Sequence, residues 1–172
     1  KNISRLFLDC RDRIKSMSIV HEMLYQSNNI AMINSKDYIK RLIDSILKSY
    51  YDHVAGFNID ISLDEVSLHP DSAISLGIII TELILNSIKH AFPPDRTDKE
   101  KRKEIKIEFR TIGQTMAALN IQDNGVGLRK EIDIDKMESL GLKLVNLLVR
   151  QLDGKIQIIN NGGIDFKIEL KI

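Results

Sequence analysis

Four segments of this chain alternate apolar and polar residues with period two, and that pattern dictates most of the fold. Phe57, Ile59, Ile61 and Leu63 alternate with Asn58, Asp60 and Ser62, and Ile105, Ile107 and Phe109 with Lys106, Glu108 and Arg110. Ala117, Leu119 and Ile121 oppose Ala118, Asn120 and Gln122, while Ile164, Phe166, Ile168 and Leu170 oppose Asp165, Lys167 and Glu169. Side chains on a strand point alternately to opposite faces, so each segment predicts a strand with one buried face. A shorter strand is expected over 155–160, joined to the last by the turn Asn160-Asn161-Gly162-Gly163.

A sheet with one apolar face has to be covered on that face. Helices are expected over 70–91, with a proline near its start, and over 139–152, stopped by Gly154. A third, "KDYIKRLIDSILKSY", puts Ile39, Leu42, Ile43, Ile46 and Leu47 on one side, with Ser35 as its cap. The predicted fold is therefore α/β of the α+β kind: a two-layer sandwich of a mixed, mostly antiparallel sheet covered by helices, preceded by a long N-terminal helix.

In that first helix Ile3, Phe7, Cys10, Ile14, Met17, His21 and Leu24 recur at spacings of four and three, a heptad seam, and Leu6, Val20 and Met23 widen it. The seam reads as a dimerisation stalk, the alternative being a helix lying on its own domain. His21 is expected to be packed and hydrogen-bonded there. The chain divides into a helical segment, 1–30, and a globular domain, 31–172.

Composition excludes little beyond this. Twenty-five basic and 24 acidic residues leave a net charge of +1, so no global field points to nucleic acid or an anionic membrane. Cys10 is the only cysteine, which rules out an intrachain disulfide and fits a reducing, cytoplasmic compartment. Apolar runs are short, so no membrane contact is expected. The charged stretch "PPDRTDKEKRKE" reads as a solvated loop.

Chemistry concentrates in the helix "ISLGIIITELILNSIKHAF". Glu82, Asn86, Lys89 and His90 fall at i, i+4, i+7 and i+8, one polar stripe on an apolar helix. An acid, an amide and two groups able to carry positive charge suit a nucleoside triphosphate. Asn86 offers an oxygen to Mg²⁺, which keeps most of its waters and needs few protein ligands. Lys89 or His90 can meet phosphate, and Glu82 can orient or deprotonate an attacking group or hold a metal-bound water. In "IQDNGVGL", Asp123 ends a strand as an acceptor for the exocyclic amine of adenine, and Gly125 and Gly127 permit close backbone approach. The helix starting Ser139-Leu140-Gly141-Leu142-Lys143 offers first-turn N–H groups and a lysine to phosphate.

Taken in order, "TELILNSIKHAF", "QDNGVGL", "SLGLKLV" and "GGIDF" resemble the asparagine box and three glycine boxes of the ATP-binding domain of sensor histidine kinases, gyrase-type topoisomerases, heat-shock chaperones and mismatch-repair ATPases. "RIKSMSIVHEMLYQS" resembles the second dimerisation helix of a histidine kinase subclass. The resemblance implies ATP and Mg²⁺ as cofactors, with Glu82 as the acid, Asn86 as Mg²⁺ ligand, Lys89 and His90 beside phosphate, Asp123 reading adenine, and Gly125, Gly127 and Gly141 as hinges of the nucleotide loop. It also implies γ-phosphoryl transfer to a histidine, homodimerisation through the N-terminal helix, and a response regulator as partner.

Two departures from the family pattern stand out. Ile164 occupies the place where the family carries a threonine whose hydroxyl supports the adenine-reading aspartate, so either reduced ATP affinity or support of Asp123 by a different group is expected. The acceptor histidine is expected on a preceding helix outside this stretch, with His53 and His69 on the surface and His90 serving the nucleotide. Other readings are a nucleotide-responsive or non-catalytic dimerisation scaffold, and an ATPase or serine kinase of the same fold.

Overall fold

The computed structural model describes residues 2–26, 32–94, 102–128 and 139–172, with the side chains of residues 2–6 and 9 excepted. The expected seam residues Ile3 and Leu6, the end of the 1–30 segment, and residues 95–101 of the charged stretch thus lie outside the described residues. The elements are α1 (Asn2–Gln26), β1 (Ile33–Asn34), α2 (Ser35–Ser49), α3 (Tyr51–Val54), β2 (Asn58–Leu63), β3 (Ser67–Leu68), α4 (Pro70–Asn86), β4 (Glu104–Ile112), β5 (Met116–Asp123), α5 (Leu140–Gln151), β6 (Lys155–Asn160) and β7 (Ile164–Lys171).

All five expected strands form one sheet, in the order β2-β4-β5-β7-β6. β2 runs parallel to β4 and every other pair is antiparallel, which makes the sheet mixed and mostly antiparallel. The alternation holds in the central strands, where Ile105, Ile107, Phe109, Leu119, Ile121, Phe166 and Ile168 are all buried. At the edge it weakens: Ile61 of β2 is 37% exposed because a strand with one neighbour has one flank open to water. The short ribbon β1–β3 was not legible in the sequence, since two residues are too few to alternate.

α4 is the central helix and packs against α1, α2 and α5. Together with the turn that extends it to Ala91 it is long and apolar enough to cross a membrane, yet 72% of that window is buried within the domain, as befits a core helix. Gly77 lets Tyr38 of α2 press against α4, since a Cβ at this position would overlap the phenol oxygen. The Tyr38 hydroxyl donates to the Ser16 carbonyl of α1 (3.3 Å), and burial pushes the phenol pKa well above its ordinary value.

α2 starts one residue earlier than expected. Asn34 is its cap, its side chain accepting from the Asp37 N–H (3.1 Å). Ser35 is buried instead, its hydroxyl bridging the Asp64 carbonyl and the Val66 N–H.

α1 docks by a face other than its heptad seam. Ser16, Ile19 and Val20 are buried and Met23 half-buried, whereas Phe7, Ile14 and Met17 are 72%, 63% and 41% exposed. The docked line Arg13-Ser16-Val20-Met23 is shifted one residue, about 100° around the helix, from the seam at 14, 17, 21 and 24. His21 is therefore exposed, contrary to the packed histidine expected from the sequence.

Candidate functional site

The site begins where α4 stops being an α-helix. Residues Ser87–Ala91 form a wider π-helical turn, which advances fewer degrees per residue than the 100° of an α-helix. Positions beyond Asn86 are thereby rotated away from the α-helical wheel. His90 lines a cavity with Asn86 and Ser87, while the Lys89 amine lies over the Tyr50 ring, 5.6 Å from its centroid. The i+7 and i+8 positions of the stripe thus go to different places.

Asp123 ends β5 and is 3% exposed. The Ser87 hydroxyl donates to its Oδ2 (2.8 Å), and the N–H groups of Gly125 (3.0 Å) and Ile164 (3.2 Å) donate to Oδ1. The side chain of Ile164 carries no hydroxyl, yet its backbone supports Asp123, and Ser87 supplies a hydroxyl from the helix side. Of the two outcomes expected from the threonine's absence, support of Asp123 by a different group is the one these hydrogen bonds show. A carboxylate has about four acceptor positions, so three protein donors leave room for one more from the cavity.

The backbone around Asp123 is held by close contacts. A Cβ at Gly125 would collide with the Ala91 carbonyl, to which the Val126 N–H donates (2.9 Å). Gly127 adopts φ 67° and Gly163 φ 134°, and a Cβ at Gly163 would run into the Asp123 carbonyl. The Asn160 amide then clamps Leu128, accepting from its N–H (3.0 Å) and donating to its carbonyl (2.8 Å).

These groups surround a cavity of about 280 Å³. Asn86, Ser87, His90 and Asp123 are its polar residues, with Ser139 at the start of α5; Leu128, Leu142, Ile158, Ile164 and Phe166 supply apolar wall, and Gly127 part of the rim. A mostly apolar pocket with a few convergent polar groups suits a flat, polar-edged ligand. The Asn86 Nδ2 is the one buried side-chain polar atom without a partner among the described residues. Asn86 itself lines the cavity, and a turn of its amide can present either Nδ2 or Oδ1 to a ligand.

Of the residues singled out in the sequence, Asn86, His90, Asp123, Gly127 and Leu142 meet at this cavity, and Gly125 stands behind it. Glu82 does not line it: the side chain is buried and its Oε1 accepts from Arg13 Nε of α1 at 2.6 Å. Gly141 packs against Glu82 Oε2, where a Cβ would collide. Leu140 is 60% exposed, and Lys143 is exposed one turn further on. Lys89 belongs to a separate cluster in which the Tyr50 hydroxyl donates to Asp12 Oδ2 (2.7 Å) and Arg11 pairs with Asp12.

Sequence reasoning missed Ser87, Ser139, Ile158 and Phe166 as wall residues. Ser87 had a signal: a hydroxyl inside the apolar run of a buried helix needs a partner. Ile158 and Phe166 had none, because a core residue and a pocket-wall residue have the same alternation.

Comparison with known proteins agrees with this geometry. A family profile described as histidine kinase-, DNA gyrase B- and HSP90-like ATPase matches residues 71–172, and one described as histidine kinase matches residues 1–50. The sensor histidine kinase PdtaS of Mycobacterium tuberculosis (strain ATCC 25618 / H37Rv) is 30% identical over 149 residues, covering 84% of this chain and 28% of that protein. PdtaS of Mycolicibacterium smegmatis is 29% identical over 167 residues, 93% of this chain and 31% of that protein. The chain thus spans under a third of the length of these curated relatives. Among solved structures, the histidine kinase domain of the blue-light activated kinase EL346 of Erythrobacter litoralis superposes with a TM-score of 0.81 at 18% identity, over 94% of this chain and 74% of that one, a likeness of fold. With the match over residues 71–172 covering more than half of its length, the chain belongs to the histidine kinase-, DNA gyrase B- and HSP90-like ATPase family.

Proposed function

We propose that this chain is the ATP-binding catalytic domain of a two-component sensor histidine kinase, joined to part of its dimerisation segment. The observation that carries this reading is one cavity holding both a buried, three-donor carboxylate, Asp123, and an orphaned amide, Asn86. Asp123 would accept from the exocyclic amine of adenine while the apolar wall, Leu142 to Phe166, receives the base. Asn86 would hold Mg²⁺. Bound there, the ion would supply charge neutralisation for the phosphates.

The chain's own residues do the rest by positioning. His90, on the cavity wall, and the first-turn N–H groups of α5 around Gly141 would face phosphate, with Leu140 and Lys143 flanking them. Glu82, beside Gly141, is the acid of the set. Lys89 reaches phosphate only by leaving the Tyr50 ring. Gly125 and Gly127 hold the backbone of the nucleotide loop.

The γ-phosphoryl would go to a histidine of the dimerisation segment other than the four in this chain, and from there to a response regulator. The segment 1–30 would serve homodimerisation and 31–172 nucleotide binding, in a cytoplasmic setting. The exposed apolar seam Phe7-Ile14-Met17 supports the first role.

Calorimetric titration with Mg-ATP tests the reading: micromolar binding is expected, and absence of binding at millimolar nucleotide would sink it. Incubated with γ-labelled ATP, the chain alone should take up no acid-labile label. Stable phosphohistidine at the exposed His21 would overturn the assignment of the acceptor.

A further inference from the structure

We infer that Arg13 of α1 is a positioning residue for the phosphate end of the cavity, neutralising the Glu82 carboxylate that lies against the first turn of α5. The inference rests on the reading of that turn as the phosphate site. Arg13 and Glu82 are 69 residues apart in sequence, and their contact joins the helix bearing the dimerisation seam to the core helix one turn before Asn86. The pair is largely buried, with 19% and 11% of the two side chains exposed. A carboxylate in such a place needs its cation.

The other carboxylate oxygen shows what the cation prevents. Oε2 lies against Gly141, in the first turn of α5. The first helical bond there runs from the Lys143 N–H to the Ser139 carbonyl (3.1 Å), so the preceding N–H groups are the helix's open donors. An unpaired Glu82 would repel phosphate from this turn, and it would also be the nearest anion able to occupy those donors. With Arg13 in place, Oε1 is engaged at 2.6 Å and the charge of the carboxylate beside that turn is neutralised. Displacing α1 from α4 would withdraw the guanidinium and leave the carboxylate beside the phosphates. α1 thereby acquires a direct electrostatic hold on nucleotide affinity.

The test compares affinities for Mg-ATP, ADP and adenosine in the 172-residue chain. Arg13→Gln should weaken ATP roughly tenfold or more, ADP less, and adenosine within about twofold, because the penalty scales with ligand charge. Arg13→Lys should stay near wild type. The isosteric neutral pair Arg13→Gln with Glu82→Gln should regain ATP affinity, and it keeps the question answerable if Arg13→Gln alone fails to fold. Equal weakening of ATP and adenosine, or no rescue in the double variant, would reduce Arg13 to a structural residue and overturn the inference. A wild-type chain that binds no ATP would defeat the underlying assignment instead, and the two failures are separable in one titration series.

Discussion

Asp123 and Asn86 line the same cavity, yet one is supplied with three protein hydrogen bonds and the other carries the orphaned amide. The end of the site around Asp123 is assembled before any ligand arrives: a π-helical turn, two glycines at positive φ and the Asn160 clamp all fix that carboxylate and its backbone. The end around Asn86 is left open. Recognition of the base is thus preorganised by protein hydrogen bonds, whereas the Asn86 amide has no protein partner for its Nδ2 among the described residues.

This contrast predicts graded outcomes. Asp123→Asn places an NH₂ among donors that already point at it and removes a charge-assisted acceptor, so ATP affinity should fall about 10- to 100-fold, with or without Mg²⁺. Isothermal titration in both conditions checks it, and a loss confined to the Mg²⁺ condition would contradict the division between the two ends. Asn86→Ala should do the reverse: roughly tenfold weaker binding with Mg²⁺, little change without it, and a melting temperature at or above wild type because the orphan is gone. A clear drop in melting temperature would mean that Asn86 is already partnered.

Ser87→Ala should have the smallest effect, several-fold at about 1 kcal/mol, since two N–H donors still hold Asp123. Ile164→Thr in that background offers a hydroxyl from the opposite side and should recover part of the loss. If it recovers none, the two supports are not interchangeable.

The sequence was most informative where one physical rule acts alone. Period two located four of the five strands and the turn at 160–163 pointed to the fifth, and the ordered polar residues led to Asn86, His90 and Asp123 in one cavity. It was least informative where backbone geometry departs from the regular lattice. The wheel placed Lys89 and His90 on one stripe, but only His90 lines the cavity while Lys89 lies over Tyr50, and nothing in "NSIKHAF" announces the π-helical turn on which both stand. Ile164 looked like a lost hydrogen bond because only side chains were counted; every residue but proline also brings a backbone N–H. The seam of α1 was legible, but which face would lie on the domain was not, since Ser16 and Arg13 look like surface residues until Tyr38 and Glu82 are supplied by other elements.

The notch at Gly77 has reach beyond packing. Tyr38 enters it and ties down the Ser16 carbonyl, while the Ser16 hydroxyl donates to the carbonyl of Arg13 itself (2.7 Å). A methyl group at position 77 would eject the phenol and release the helix that bears the guanidinium. In a random-mutagenesis screen for impaired nucleotide binding, Gly77 and Tyr38 should therefore surface as a pair, and their hits would be suppressed by compensating changes in each other and not by changes around the base.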